Sequence, residues 1–501
     1  MKAVLALLFI VALCMVSMVN SSILVLVAGA AVVPLLLFSA RPDIIAVGVV
    51  ALFLSHMKIP AVPGERQMYE LLMCILFVVV IVRKSINKRS AKGTWAKWFA
   101  YLFLVVLTIT AIYRGVGFQS LGDYELWGGG RYLVIVPCLL FFLSSDSFEL
   151  TTRQWKVALV ALLLLSVLPA VWELLYLFSH GRIYYQYYFF TPSGSEAMTL
   201  ETSEVQDALI RVKGFMPTTM LFMLPFVVYP AKLRYILHYT LFVMLGFVAV
   251  GLTGHRMGIV TIGFFVWAYF FVISKRKIGY IVISGLVIVL ACAILGQLAY
   301  YLPSNFQRAL CVIPFAHVSQ EIYLDAQGTW DWRIEVWKDA LEEVPRYLLI
   351  GKGYAYDAGA YIYMMRTAYM SDHNVQWAIV SSSYHQGILS LLLGMGIAGL
   401  VAGLGYMFGV CRKHYLLMRR DWPDSELARM HRAITVLFIV DTVIYLVVYG
   451  DVFASFPDLF FYGAVLEGIR NTAARMNAEK DGLRAGDERL KMNSPAVAIV
   501  P

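Results

Sequence analysis

Arg256 sits in Gly251-Leu252-Thr253-Gly254-His255-Arg256-Met257-Gly258, a tight break between two apolar runs with almost no loop to carry it into water. An ionisable side chain in such a setting is costly and is a functional candidate by default. The plainer alternative is an interfacial arginine snorkelling to headgroups, but that does not require a glycine-flanked hairpin. Arg333 lies in Asp331-Trp332-Arg333-Ile334-Glu335-Val336-Trp337-Lys338, where pairing with Glu335 or Asp339 is the ordinary explanation. Arg211 and Lys213 precede Gly214-Phe215-Met216-Pro217, and Arg131 follows Gly128-Gly129-Gly130. Guanidinium groups pair bidentately with phosphate oxygens, so this set suits a diphosphate-linked lipid.

His385 is the second feature, in Ser381-Ser382-Ser383-Tyr384-His385-Gln386-Gly387, where a polar stretch re-enters an apolar run. A lone histidine there is more often structural, yet histidine is the usual side chain for taking a proton from a hydroxyl near neutral pH. Tyr384 beside it is a candidate substrate contact, and His373 with Asn374 competes for the role of base. Asp123 and Glu125 form an acidic D-x-E, one pair without neighbouring ligands and so a weak metal signal. Gly394-Met395-Gly396-Ile397-Ala398-Gly399 matches the dinucleotide fingerprint GxGxxG, but no strand precedes it. Inside an apolar run, Gly399 and Gly403 read instead as a small-xxx-small packing surface.

The elements that must position these residues are helices in a bilayer. Sixty per cent of the 501 residues are apolar or aromatic and only 15% are charged, against about a quarter in soluble globular chains. Fourteen apolar runs fall at about 3–19, 22–40, 44–62, 69–82, 98–113, 132–143, 157–178, 214–231, 236–253, 257–274, 280–301, 386–410, 433–449 and 455–468. Several are shorter than the roughly 20 residues a span requires, so 12 to 14 transmembrane helices are expected. The net charge of +9 would suggest nucleic acid in a soluble protein, but here the question is which loops hold the charge. Most of the 41 basic residues fall on one side if both ends of the chain are cytoplasmic. The six cysteines lack metal-site spacing and read as packing residues. The first apolar run mimics a signal peptide without its cleavage pattern and reads as a retained helix.

The expected organisation is a transmembrane region over 1–301 with about eleven helices, a large outer loop over 302–384, about three further helices over 385–470 and a cytoplasmic, partly disordered tail over 471–501. Within the loop, Trp332 to Glu343 has helical apolar spacing. An earlier outer segment, about 180–213, holds Tyr184, Tyr185, Tyr187, Tyr188, Phe189 and Phe190, an interfacial aromatic belt in one reading and a sugar platform in the other.

The order of these motifs resembles the O-antigen ligase and polysaccharide polymerase superfamily. Thr253-Gly254-His255-Arg256-Met257-Gly258 looks like its first motif, with His255 in place of the usual Ser. Arg333-Ile334-Glu335-Val336-Trp337 looks like its R-x-x-x-W helix, and Ile350-Gly351-Lys352-Gly353-Tyr354 like its G-x-G turn. His385-Gln386-Gly387-Ile388-Leu389 looks like its last motif, with Gln386 for the usual Asn and with Gly396 and Gly399 following. Arg211 to Pro217 is similar to an upstream R-x-x-G-x-x-x-P-like segment. The likeness spans about 210–410.

The resemblance implies an all-α polytopic membrane fold of the GT-C-like glycosyltransferase class in the bacterial inner membrane, with the site facing the periplasm. It implies transfer of an undecaprenyl-diphosphate-linked glycan to a glycan, lipid or protein acceptor, without metal or cofactor and with inversion at the anomeric carbon. Arg256 and Arg333 would stabilise the leaving diphosphate and His385 would accept the acceptor's proton. Arg211, Lys213, Arg131 and Tyr384 would bind substrate; the partners are lipids and glycans, with no nucleic acid. Ligase and polymerase both fit, the first transferring a finished polymer and the second extending the carrier-linked chain. A flippase or transporter is the alternative of another class, with Asp441 at mid-span and Glu173 and Glu467 near span ends, although no internal repeat accompanies them.

Overall fold

The structure, a computed structural model, describes residues 42–59, 66–87, 94–118, 125–180, 182, 214–313, 315–368 and 375–492. The apolar runs at 3–19 and 22–40, the 184–190 aromatics, Asp123, Arg211, Lys213, His373 and Asn374 lie outside these residues.

Among the described residues the fold is helical apart from a two-residue antiparallel ladder and a single bridge between Lys58 and Gln67. Helices α1 (Pro42–Leu52), α2 (Met68–Asn87), α3 (Trp95–Arg114), α4 (Gly129–Ser144), α5 (Thr152–Leu165) and α6 (Leu168–Phe178) come first. Strand β1 (Leu126–Trp127) precedes α4 and pairs with β2 (Tyr356–Asp357). Then follow α7 (Ile236–Thr253), α8 (Arg256–Ile273), α9 (Lys277–Leu298), the short α10 (Ser304–Leu310) and the long α11 (Gln320–Tyr347). After β2 come α12 (Ala358–Ala368), α13 (Val375–Val380), α14 (Gly387–Leu417), α15 (Ser425–Val447) and α16 (Val452–Met492). Among the described residues nine helical stretches are long and apolar enough to cross a membrane. They include α5 joined to α6 as Thr152–Phe178 and the first 30 residues of α16, Val452–Asp481. The protein is thus a polytopic α-helical membrane protein.

The apolar run at 214–231 does not form one long helix. It breaks into Phe215–Thr218, a 3₁₀ stretch at Thr219–Met223 and Leu224–Val228. Pro217 and Pro225 each lack the amide that would continue an α-helix, so this segment is too short for a span. At the other end of the chain, α16 continues through 471 without a break and carries the polar segment as far as Met492.

The core lies where α3 runs along α14, and where α16 packs on α4 and α15. Aromatic rings fill it: Phe103 stacks on Phe456 at 4.9 Å, and Tyr406 meets Phe142 edge-on at 5.0 Å. Helix α11 has a mean polarity unlike a span and buries only one face, with Val336, Ala340, Ala378 and Leu393 in one cluster that joins it to α13 and α14. Arg256 at the start of α8 donates to the Ala326 carbonyl near one end of α11, and Arg114 at the end of α3 stacks on Tyr347 at the other. Those two points are about 30 Å apart along the helix. Both mark the ends of spans, so α11 bridges one face of the helical bundle.

Where α11 ends, residues 348–353 dock into a gap in α14. Gly396 has φ 70° and ψ −172°, a backbone region essentially restricted to glycine, and it breaks the helix nine residues after its start. The amides and carbonyls freed there bond the docked segment: Lys352 N to Leu393 O at 2.6 Å, Gly353 N to Gly394 O at 3.0 Å, and Ile397 N to Leu348 O at 2.8 Å. A Cβ on Gly351 would lie 2.3 Å from the Gly394 backbone, so side chains are excluded from the contact. Gly394 and Gly396, the first glycines of the GxGxxG match, therefore form a backbone latch with the Gly351-Lys352-Gly353 turn.

Candidate active site

The turn from α13 into α14 sets His385. Ser382 and His385 both have left-handed backbone, at φ 53° and 52°. Non-glycine residues adopt this conformation uncommonly, and here Asp451 accounts for it. Asp451, 1% exposed just before α16, accepts from His385 N and Ser390 Oγ on Oδ1, each at 3.0 Å, and from Ser383 Oγ on Oδ2 at 3.0 Å. His385 Nδ1 lies 3.1 Å from the same Oδ2. Burial alone would raise the carboxyl pKa, but the His385 ring, the Ser390 hydroxyl and the His385 amide together hold it below its usual value. A carboxylate facing Nδ1 favours the tautomer with its proton there, leaving Nε2 as a base. Gln386 caps α14 through its side-chain carbonyl, accepting from Leu389 N at 2.6 Å. Asn offers the same group, which explains how Gln serves at this position.

Two rings pack on the imidazole. Tyr449 stacks on it at 4.9 Å and 20°, and Trp332 of α11 meets it at 5.4 Å. The next residue along α11 is Arg333, whose guanidinium carbon lies 5.4 Å from the centre of the same Tyr449 ring. Arg333 Nε is buried and has no acceptor among the described residues. Buried donors are nearly always satisfied, so an orphan guanidinium nitrogen marks a place for an anion. Burial depresses the Arg333 pKa, Tyr449 and Asp451 oppose that, and Arg256 adds to it, so the two arginines are electrostatic neighbours.

Arg256 follows Gly254, which ends α7 at φ 65° and leaves no loop before α8. His255 between them is brought down to about 4 by burial, then by Arg333 and Arg256, and is neutral at physiological pH. A third cation comes from α10: Arg308 pairs with Asp325 of α11 at 2.9 Å and packs within 3.6 Å of the Cβ position at Gly254. Nothing in its sequence context singled out Arg308.

Arg131 is turned to another task. It donates to the Ser381 carbonyl and lies against Phe453 at 4.2 Å and Tyr356 at 5.3 Å, so it holds the backbone leading to His385. Tyr384 is fully buried in the α11–α13–α14 cluster, and Trp337 Nε1 donates to its carbonyl at 2.9 Å. Its ring packs into that cluster, fully buried in this structure. Glu125 offers its backbone carbonyl to Ala358 N at 2.9 Å. Two of the three acids that favoured a transporter are held in structure: Glu173 accepts from the Gly214 amide, and Glu467 is paired with Lys413, with Arg470 at 3.2 Å and with His414 at 3.3 Å.

Fold and site together define a polytopic membrane protein with cations and a carboxylate-held histidine gathered at the ends of its spans. Residues 241–404, about a third of the chain, match the family model described as O-antigen ligase, Wzy_C. That family's activity is of the O-antigen ligase or polymerase type, a glycosyl transfer. Arg256, Arg333 and His385 fall inside the matched segment, whereas Asp451 and Tyr449 lie beyond it. No curated protein matches the chain.

Proposed function

We propose that the protein transfers a glycan from undecaprenyl diphosphate to an acceptor hydroxyl at the periplasmic face of the inner membrane, as an O-antigen ligase, with 302–384 as the periplasmic loop over the site. The acceptor oxygen attacks the anomeric carbon, and the bond from that carbon to the diphosphate breaks with its electron pair on the phosphate. The acceptor's proton passes to His385 Nε2. Asp451 fixes the imidazole and stabilises it once charged, as carboxylates do for catalytic histidines elsewhere. Arg333, whose Nε lacks a protein acceptor, and Arg256 meet the developing charge on the diphosphate, with Arg308 and neutral His255 beside them. Attack opposite the leaving group inverts the anomeric centre. The observation that carries this reading is the shared Tyr449 ring, which puts the histidine base and the unsatisfied arginine at one place.

The same chemistry serves a polymerase, where the acceptor hydroxyl belongs to a second carrier-linked glycan. A deletion strain separates the two: loss of a ligase leaves long polymer on the carrier, and loss of a polymerase leaves single repeat units. The site itself is tested with purified protein in proteoliposomes supplied with a lipid-linked glycan. His385→Ala and Arg333→Ala are expected to abolish measurable transfer, and wild-type rates in either variant would overturn the assignment.

A further inference from the structure

The end of α11 remote from Arg256 carries cations that the transfer chemistry does not use. Tyr347 is buried, and around its ring stand Arg114 at 5.2 Å, Arg346 at 5.3 Å and Lys352 at 5.8 Å. Lys352 is paired with Glu343 at 3.2 Å and donates to Ile379 O at 2.9 Å, so its charge is answered within the protein. Arg114 is clamped by carbonyls alone, Nε to Gly351 O at 2.9 Å and Nη2 to Ile350 O at 3.2 Å. Neither Arg114 nor Arg346 has a carboxylate partner among the described residues.

Directly beside these guanidinium groups the surface is apolar. Leu349 is 79% exposed, Leu348 and Ile350 are also exposed, and α3 adds exposed Ile112 and Tyr113 next to Arg114. Helix α3 is a 20-residue span, about 30 Å long, that ends at Arg114, so this group sits at the level where hydrocarbon gives way to headgroups. Bare aliphatic side chains below and unanswered guanidinium groups above match one chemical partner, a lipid with a phosphate on a glycerol backbone. The diphosphate carrier fits less well, because Arg333 lies about 20 Å away along α11.

We propose that Arg346 and Arg114 bind the phosphate of an anionic glycerophospholipid, with Leu348, Leu349, Ile350 and Tyr113 against its acyl chains. Such a lipid seats the C-terminal end of α11 on the membrane while the other end is held at Arg256. The site does not depend on the identity of the transferred glycan.

The test uses the full-length protein in nanodiscs of phosphatidylcholine with a minor fraction of phosphatidylglycerol, and native mass spectrometry of the lipids retained after detergent extraction. Wild type is expected to retain phosphatidylglycerol preferentially. Arg346→Gln should lower that preference about fivefold, the scale of one cation at an anionic surface, and Arg346→Lys should restore most of it. Arg276→Gln, exposed at the far end of α8, should leave it unchanged. Equal retention by wild type and Arg346→Gln would overturn the proposal, as would displacement of phosphatidylglycerol from wild type by undecaprenyl diphosphate in Arg346-dependent fashion, which would hand the site to the carrier. The readout is lipid retention rather than glycan transfer, so either reading can fail without the other.

Discussion

Helices α14, α15 and α16 and helices α7, α8 and α9 contribute opposite kinds of support to one site. In α16, 78% of the span's most apolar window is buried within the protein, and α14 and α15 bury more than half of theirs. In α8 that share is 17% and in α9 it is zero. The first group carries His385 and the Asp451 that fixes it; the second presents Arg256 among lipid-facing residues. The proposed base must be held in place, and His385 stands on the packed side. The proposed ligand of a lipid-borne diphosphate must be reachable from the bilayer, and Arg256 stands on the open side. Helix α11, with Arg333 midway, spans the two.

The largest effects should come from the packed side. His385→Ala is expected to lower the rate of glycan transfer by about 10²- to 10⁴-fold, the usual worth of a general base, with donor KM little changed. Asp451→Asn should cost a similar factor and also stability, because a buried carboxylate that accepts three hydrogen bonds and faces the His385 ring is replaced by a neutral amide. Since folding holds the Asp451 carboxyl below its usual pKa, its contribution to stability is complete above the unfolded value and fades as pH falls through the folded one. The acid limb of the unfolding midpoint, measured in detergent, should flatten in the Asn variant. Arg333→Ala, midway between the two sides, and Arg256→Ala, on the open side, should each lower kcat/KM about 10²- to 10³-fold. Arg256→Ala should act more through donor KM, and a kcat loss with unchanged KM there would erase the contrast between the two groups.

Next in size is the latch that connects them. Gly396→Ala puts a Cβ into a conformation only glycine adopts, 2.5 Å from the Leu349 carbonyl oxygen. The expected cost is about 1–3 kcal/mol of stability. Hydrogen exchange at 348–353 should rise, and transfer should fall although no group near His385 has changed. Protection equal to wild type would mean that α11 is held elsewhere.

His255 gives a smaller effect of defined sign. Its pKa in the folded protein is about 4 against an ordinary 6.5, so between those values the unfolded chain binds a proton that the folded one refuses. Stability should therefore rise with pH across that window by at most one proton's linkage and be indifferent to His255 above it. His255→Gln should reduce the slope in thermal unfolding between pH 4 and 6.5.

Arg256, Arg333 and His385 stood out in the sequence because each is a polar group set against an apolar run or in a short motif of fixed order. Asp451 had the same signal, an acid at the mouth of the last apolar run, yet it lies 66 residues after His385 and only the return of α16 to α14 brings them together. The latch was hidden for a different reason. Glycines within an apolar run read as helix packing, and hydropathy does not register that α14 breaks at Gly396 to receive another segment's backbone. Hydropathy also counts Pro217 and Pro225 as no obstacle, which is why 214–231 read as a span. Adjacency in the chain says nothing about direction either: the Tyr384 ring turns into the buried cluster while the His385 ring turns to Tyr449.

The smallest expected effect bears most directly on the contrast between the two groups of helices. Phe460 in α16 is fully buried, in contact with Phe103, Tyr406 and Phe456, and Phe460→Ala should lower stability by about 3–5 kcal/mol, as large-to-small changes in packed cores do. Leu286 in α9 is 70% exposed, and Leu286→Ala should change it by less than about 0.5 kcal/mol. In a bilayer the lost contacts of Leu286 are replaced by lipid, whereas the void left at Phe460 is filled by nothing. Unfolding midpoints of both variants in the same detergent decide the point. A loss at Leu286 comparable with that at Phe460 would mean that α9 has a protein partner, and the open side would then be an interface rather than a lipid-facing surface.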